Sequence, residues 1–392
     1  MKERSTLNAL SFSIYIATKE IWRNRGRFLL LSLVIALITL LVLFIAALGE
    51  GLANGNREYL SKLDAELIVF REKSDYIIAS SRLDASTLRA VRRVPGVAGA
   101  GPIYTSSSEI VSIDRPIKVS LVGADPDHPG MPDVTRGEDF RGGDSNEAVI
   151  DMNLSMRSGL QVGDLIELRS TQGSEDKFSD LVIVGLTGGQ FYLFQPTVFV
   201  SPSTWERIRP QSEADLRDQS PYPNILAVKL QEPAQVEAMK ARLLAEVPRI
   251  QAADIGTTIA NVPGYSAQQA TVQTQGFFTL LIGILVIGGF FQIQVLQKVP
   301  QIGVLKAIGS SNTSVGAAAV IQIVAVTAIG VVLGALLTFL FSLGFPPTVP
   351  LVFDGANAAL SLLALMVIGP IGGLVSVVYA VRIEPLRALR LQ

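Results

Sequence analysis

Cysteine is absent from the 392 residues, and histidine occurs once, as His128. The first absence excludes a disulfide framework, a thiolate metal site and a catalytic thiol. The second leaves Ser-His-Asp catalysis without a base, because His128 sits in the proline-flanked turn DPDHPG. A metal site there would need partner ligands that the neighbouring sequence does not offer. No G-x-x-x-x-G-K-(S/T) phosphate loop occurs. The stretch GSSNTSVG (309–316) is rich in serine and glycine but lacks the lysine and the preceding strand. No pair of carboxylates stands out by spacing, so a hydrolase has little support. The expectation is a chain with no catalytic residues, no metal and no cofactor of its own.

Apolar residues make up 49% of the chain, yet 34 acids and 33 bases accompany them. That mixture suits a membrane protein with a large soluble part. Four runs reach spanning length: 28–49, 276–296, 315–343 and 356–381. The uninterrupted stretch 28–48 would rise roughly 31 Å as a helix, about the thickness of the hydrocarbon core. It is about twice as long as a signal-peptide core, which makes it an anchor. No charged residue lies deep in any run, and this argues against a proton- or ion-coupled carrier.

Charge orients the spans. Segment 1–27 carries Lys2, Arg4, Lys19, Arg23, Arg25 and Arg27 against Glu3 and Glu20. Segment 297–314 has Lys298 and Lys306 and no acid, whereas 344–355 has only Asp354. The tail 382–392 has three arginines and one glutamate. Both termini and 297–314 therefore belong on the cytoplasmic side, with 50–275 outside. That outer region holds 30 acids and 22 bases, which argues against nucleic acid as a partner. Residues 8–22 read as an interfacial helix along the inner leaflet.

Beyond the first span, residues 49–63 keep helical spacing and extend it as a stalk softened by three glycines. Strand patterns follow at 65–70, 103–113, 117–122, 180–186, 197–200 and 224–230, and helix patterns at 85–94, 204–209 and 234–247. The order fits an α+β domain of split βαβ type, interrupted by an insertion at about 125–176. The expected fold class is thus an α-helical membrane protein with four transmembrane helices and a large extracytoplasmic α+β domain between spans one and two. Within the spans, Gly330-xxx-Gly334 and Gly369-xxx-Gly373 permit close helix approach, and Pro370 is expected to kink the last helix.

The loop QKVPQIGVLKAIGSSNT (297–313) is the most informative stretch. From Gln301 to Ile308 it reads as a short amphipathic helix with Ile302, Leu305 and Ile308 on one face and Gly309 as its stop. QIGVLKAIGSS resembles the E-I-G-(I/V)-L-(K/R)-A-(I/L)-G-A-S segment of permeases of the MacB/FtsX type, four-span (type VII) ABC transporters. Gln301 stands where that family usually has Glu, and Pro300 precedes it. The resemblance extends to Gly123–Pro126, Arg136–Phe140, Asn146–Ile150 and Gly159–Leu168, which follow the order of motifs in the MacB periplasmic core. The ending AVRIEPLRALR (380–390) is similar to the family's tail.

The resemblance implies a permease subunit without a fused ATPase. Lys298, Gln301, Ile302, Gly303, Val304, Leu305, Lys306, Ala307, Ile308 and Gly309 would form the coupling segment that rests on a cytoplasmic ABC ATPase. ATP and Mg would belong to that partner, not to this chain. It also implies a second permease copy or paralogue, contact with membrane lipids, a periplasmic adaptor as a further partner in efflux systems, and a bacterial cytoplasmic (inner) membrane location. ATP hydrolysis would then drive the outer domain by mechanotransmission, for export or extraction of a peptide, antibiotic, lipid or lipoprotein. Two other readings stay open at this point: an FtsX-like signalling scaffold acting on an external cell-wall hydrolase, and an ATPase-independent membrane receptor.

Overall fold

The computed structural model describes residues 14, 15, 18–113, 115–212, 222–345 and 351–382. Much of the interfacial helix expected over 8–22, and the tail 383–392, lie outside those residues. Two compact units result, Met1–Gly51 with Ala270–Gln392 and Leu52–Gln269.

Helix α1 (Arg25–Ser61) contains the first apolar run and continues through it for 37 residues. Its glycines do not soften it. A Cβ at Gly49 would come 2.5 Å from a Val272 methyl, and one at Gly55 would come 2.7 Å from the Phe194 ring. Glycine is there because neighbours approach closely, not because the helix must bend.

The soluble unit then runs β1 (Leu67–Arg71), α2 (Ala85–Arg93), β2 (Val97–Ile110), β3 (Ile117–Gly123), β4 (Val134–Gly137) and β5 (Glu147–Asp151). Next come α3 (Met152–Ser158), β6 (Leu165–Gln172), β7 (Glu175–Thr187), β8 (Thr197–Val200) and α4 (Pro202–Ile208). It closes with β9 (Ile225–Leu230), α5 (Val236–Glu246), β10 (Ile250–Asp254) and α6 (Ile255–Ala260). The strands order as β10-β1-β9-β2-β3-β8-β5-β7-β4, with β6 pairing β2 and β7.

The first four of these are mutually antiparallel and connected β1-α2-β2 and β9-α5-β10. That is the split βαβ arrangement. Strand β1 is buried on both faces: Leu67 and Val69 pack beneath α2 and α5, while Ile68 and Phe70 join Tyr59 and Phe199. This explains why its sequence shows no polar alternation.

Strand β2 joins the two halves of the sheet. Val97–Ile103 pair with β9, and Tyr104–Ile110 pair with β3. The inserted part therefore begins inside β2 and ends after α4, a much larger portion than 125–176. Segment 125–176 is no separate excursion, since β5 pairs with β7 and β8, and β6 with β2 and β7. The start of β2 reads as a turn because of its Gly and Pro. Gly101 is required there by the 128–130 loop, whose Pro129 carbonyl oxygen would lie 1.8 Å from a Cβ.

Helix α7 (Tyr265–Gln297) leads back into the apolar unit, followed by α8 (Val299–Ala307), α9 (Asn312–Ser342) and α10 (Gly355–Arg382). Helices α1, α7, α9 and α10 are each long and apolar enough to cross a membrane. Their shared core includes Phe28, Ile35, Ile287, Phe291, Val326 and Ile368. Small residues set the crossings. Gly330 and Gly334 of α9 abut Ile35 and Thr39 of α1, and Gly369 and Gly373 of α10 abut Thr327 and Ile323 of α9. A Cβ on Gly288 of α7 would stand 2.6 Å from the Gly372 carbonyl oxygen. Helix α10 stays unbroken through Pro370.

Candidate coupling site

The connection between α7 and α9 folds as a single nine-residue helix, α8. It begins two residues before Gln301, because Pro300 falls in the first turn, where a missing N–H costs nothing. It ends at Gly309, whose φ is +105°. The Ser310 N–H bonds the Leu305 carbonyl at 3.1 Å and the Gly309 N–H bonds that of Lys306 at 3.0 Å. This paired pattern is the Schellman stop that glycine permits. Ser311 then caps α9, its hydroxyl accepting from the Ser314 N–H at 3.2 Å.

The outward face is not the one the apolar spacing suggests. Ile302 and Leu305 line a cavity of about 90 Å³ between α8 and the bundle, together with Phe291, Gln294, Ala318 and Ser376. Gly303 is buried, whereas Gln301, Val304, Ala307 and Ile308 are exposed, Val304 by 41% and Ile308 by 83%. The expected single face of Ile302, Leu305 and Ile308 is thus divided. Gln301, Val304 and Ile308, at i, i+3 and i+7, make the free face instead. Because the loop is short at both ends, α8 must lie against the spans it joins, and Ile302 and Leu305 turn inward.

The two lysines are also turned inward. Lys298 Nζ lies 2.5 Å from Glu20 Oε1 and 5.5 Å from the centre of the Phe28 ring. Lys306 Nζ donates to the Val381 carbonyl at 2.7 Å, at the end of α10. The other Glu20 oxygen, Oε2, accepts from Gln322 Nε2 of α9 at 2.5 Å. Arg27, at the start of α1, donates to Gln297 Oε1 at the end of α7. Sequence reading counted Glu20 only in the charge balance. One clue was present: Lys298 and Lys306 have no acid in their own loop, so partners had to come from elsewhere in the chain.

His128 has no such role. Its Nδ1 lies 2.9 Å from Asp125 Oδ2 in the same turn, and both side chains are about one-third exposed. Among the described residues no cluster of three His, Asp or Glu could hold a metal ion.

Comparisons bring the site and the domain together. The MacB-like periplasmic core domain family matches residues 28–246, and the FtsX-like permease C-terminal family matches 275–385. A Staphylococcus haemolyticus protein named for a hemin transport system as its permease HrtB is 24% identical over 374 residues, covering 95% of this chain and 98% of its own. An uncharacterized ABC transporter permease of Mycobacterium bovis is 24% identical over 345 residues, with 86% and 88% covered. Among solved structures, the periplasmic region of MacB from Actinobacillus actinomycetemcomitans is 14% identical. Its TM-score is 0.36, and the match covers 54% of this chain and 97% of that one.

Proposed function

The chain belongs to the MacB/FtsX-type permeases of ABC transporters, and from that premise we propose that it transmits the state of a separate cytoplasmic ATPase to its soluble domain. In this reading the termini and α8 face the cytoplasm, and the domain between α1 and α7 lies outside a bacterial inner membrane. The exposed face of α8 carries the argument. Ile308 is 83% exposed and Val304 41%, on a helix whose two ends are tied to the bundle by Lys298 and Lys306. Burying a whole isoleucine side chain is worth about 1.5–3 kcal/mol, so a cleft that covers Ile308 gains most of that. The inward lysines leave the contact to rest on packing.

Helices α1 and α7, of 37 and 33 residues, would extend roughly 55 and 50 Å, more than a hydrocarbon core requires. Unbroken helices of that length can carry a displacement from one side of the membrane to the other with no polar channel. Two permease chains would form the complete machine, paired across a two-fold axis. Export is the favoured direction. Hemin, the cargo in the staphylococcal relatives' name, is the first substrate to try.

The test is affinity purification of the tagged chain from its own membranes in mild detergent, followed by mass spectrometry and ATP hydrolysis with and without hemin. The reading expects an ABC ATPase in a near-stoichiometric amount. A chain that purifies alone, with no nucleotide hydrolysis in the fraction, overturns it.

A further inference from the structure

Helix α8 is held by its ends over a cavity, and the joint at its entry is more elaborate than an ion pair. Both oxygens of the Glu20 carboxylate are committed, Oε1 to Lys298 Nζ and Oε2 to Gln322 Nε2, each at 2.5 Å. The group is sheltered: the Glu20 side chain is 22% exposed, that of Lys298 14%, and Gln322 is buried. Three separate pieces of chain therefore meet on one carboxylate. Residues 18–23 are helical, and after the turn at Asn24 the chain enters α1 directly. The Asn24 N–H bonds the Glu20 carbonyl at 3.0 Å, and the Phe28 N–H bonds the Asn24 carbonyl at 3.3 Å. Lys298 lies over the Phe28 ring as well, so its ammonium touches α1 and the segment before it at once.

We infer that Glu20 is the positioning residue through which movement of α8 reaches α1 and α9, an inference that rests on the proposed coupling role. A half-buried charge pair with both oxygens satisfied holds its geometry better than exposed pairs, which are loose and screened. Lys306 joins the far end of α8 to α10, whereas the Glu20 carboxylate joins its near end to α9 and to the segment that enters α1. Glu20 is not on the outward face and takes no part in holding the ATPase.

The absence of cysteine makes the test direct. Spin labels at Glu72→Cys and Ala356→Cys, both exposed positions, report the distance between the two units in the purified complex with its ATPase. ATP and vanadate shift that distance in the parent. Glu20→Gln keeps the ATPase at the parental ratio but loses most of the shift. The exchange Glu20→Lys with Lys298→Glu restores at least half of it, which a residue needed only for folding would not do. An undiminished shift in Glu20→Gln, or no rescue by the exchange, overturns the inference while leaving coupling intact. Failure of the parent to retain an ATPase overturns the coupling reading itself, and this inference with it.

Discussion

Gly334 of α9 meets Thr39 of α1 so closely that a Cβ on the glycine would lie 2.4 Å from the threonine Cβ and 2.6 Å from the Ala36 carbonyl oxygen. A carbonyl cannot rotate out of the way, so the helices would have to separate. Gly334→Val should destabilise the bundle by about 1–3 kcal/mol, the usual range for overpacking. Gly289 of α7 is the control, with nothing within 4 Å of its would-be Cβ. Gly289→Ala should be neutral or raise the melting temperature in detergent, since alanine favours helix by about 1 kcal/mol. Equal behaviour of the two variants would contradict the close α1–α9 crossing.

Asp151 gives the soluble unit a pH dependence. Its carboxyl is buried and accepts from the Leu154 N–H at 2.7 Å, but burial outweighs these bonds and pushes its pKa up to about 6. An unfolded aspartate titrates near 3.8. Between about pH 4 and 6 the folded chain holds a proton that the unfolded chain has released, so this group's contribution falls as pH rises through that window. The shift corresponds to about 3 kcal/mol. Asp151→Asn should flatten the stability profile between pH 4 and 6. It should also lower stability somewhat at pH 5 and below, because its amide cannot accept from the Gln190 N–H that Oδ2 faces at 3.3 Å. An unchanged slope would refute the assignment.

These two residues show what the sequence carries and what it hides. The four spans and most strands were legible because apolar runs and period-two patterns are local properties of the chain. The Gly-xxx-Gly pairs announced close packing but not its partners, since any small-residue stripe can face any helix. The split βαβ type was legible from the alternation, but β10 (Ile250–Asp254) and the strand order β10-β1-β9-β2 were not. The first half of β2 was not, because Gly99, Gly101 and Pro102 look like turn residues until the 128–130 loop is seen pressed against them. At α8 the segment and its glycine stop were readable, but the direction of its faces was not. Helical spacing says which residues share a face, and only the bundle decides which face it covers.

The orientation is open to chemical labelling in the cysteine-free chain. A cysteine replacing Glu72, exposed in the soluble unit, should react with a membrane-impermeant maleimide in intact spheroplasts. One replacing Asn312, exposed just after α8, should react only once the membrane is opened. The reverse pattern would invert the topology and remove α8 from the reach of a cytoplasmic ATPase.

The most direct measurement for the central claim is a crosslink from α8 itself. Ile308→Cys on the free face and Leu305→Cys at the cavity differ by three residues and by where the bundle turns them. With a short thiol-to-photoreactive linker in membranes containing the ATPase, the account predicts an adduct to the ATPase from position 308 and little or none from 305. An adduct from 305 alone, or none from either in membranes where the ATPase is present, would contradict it.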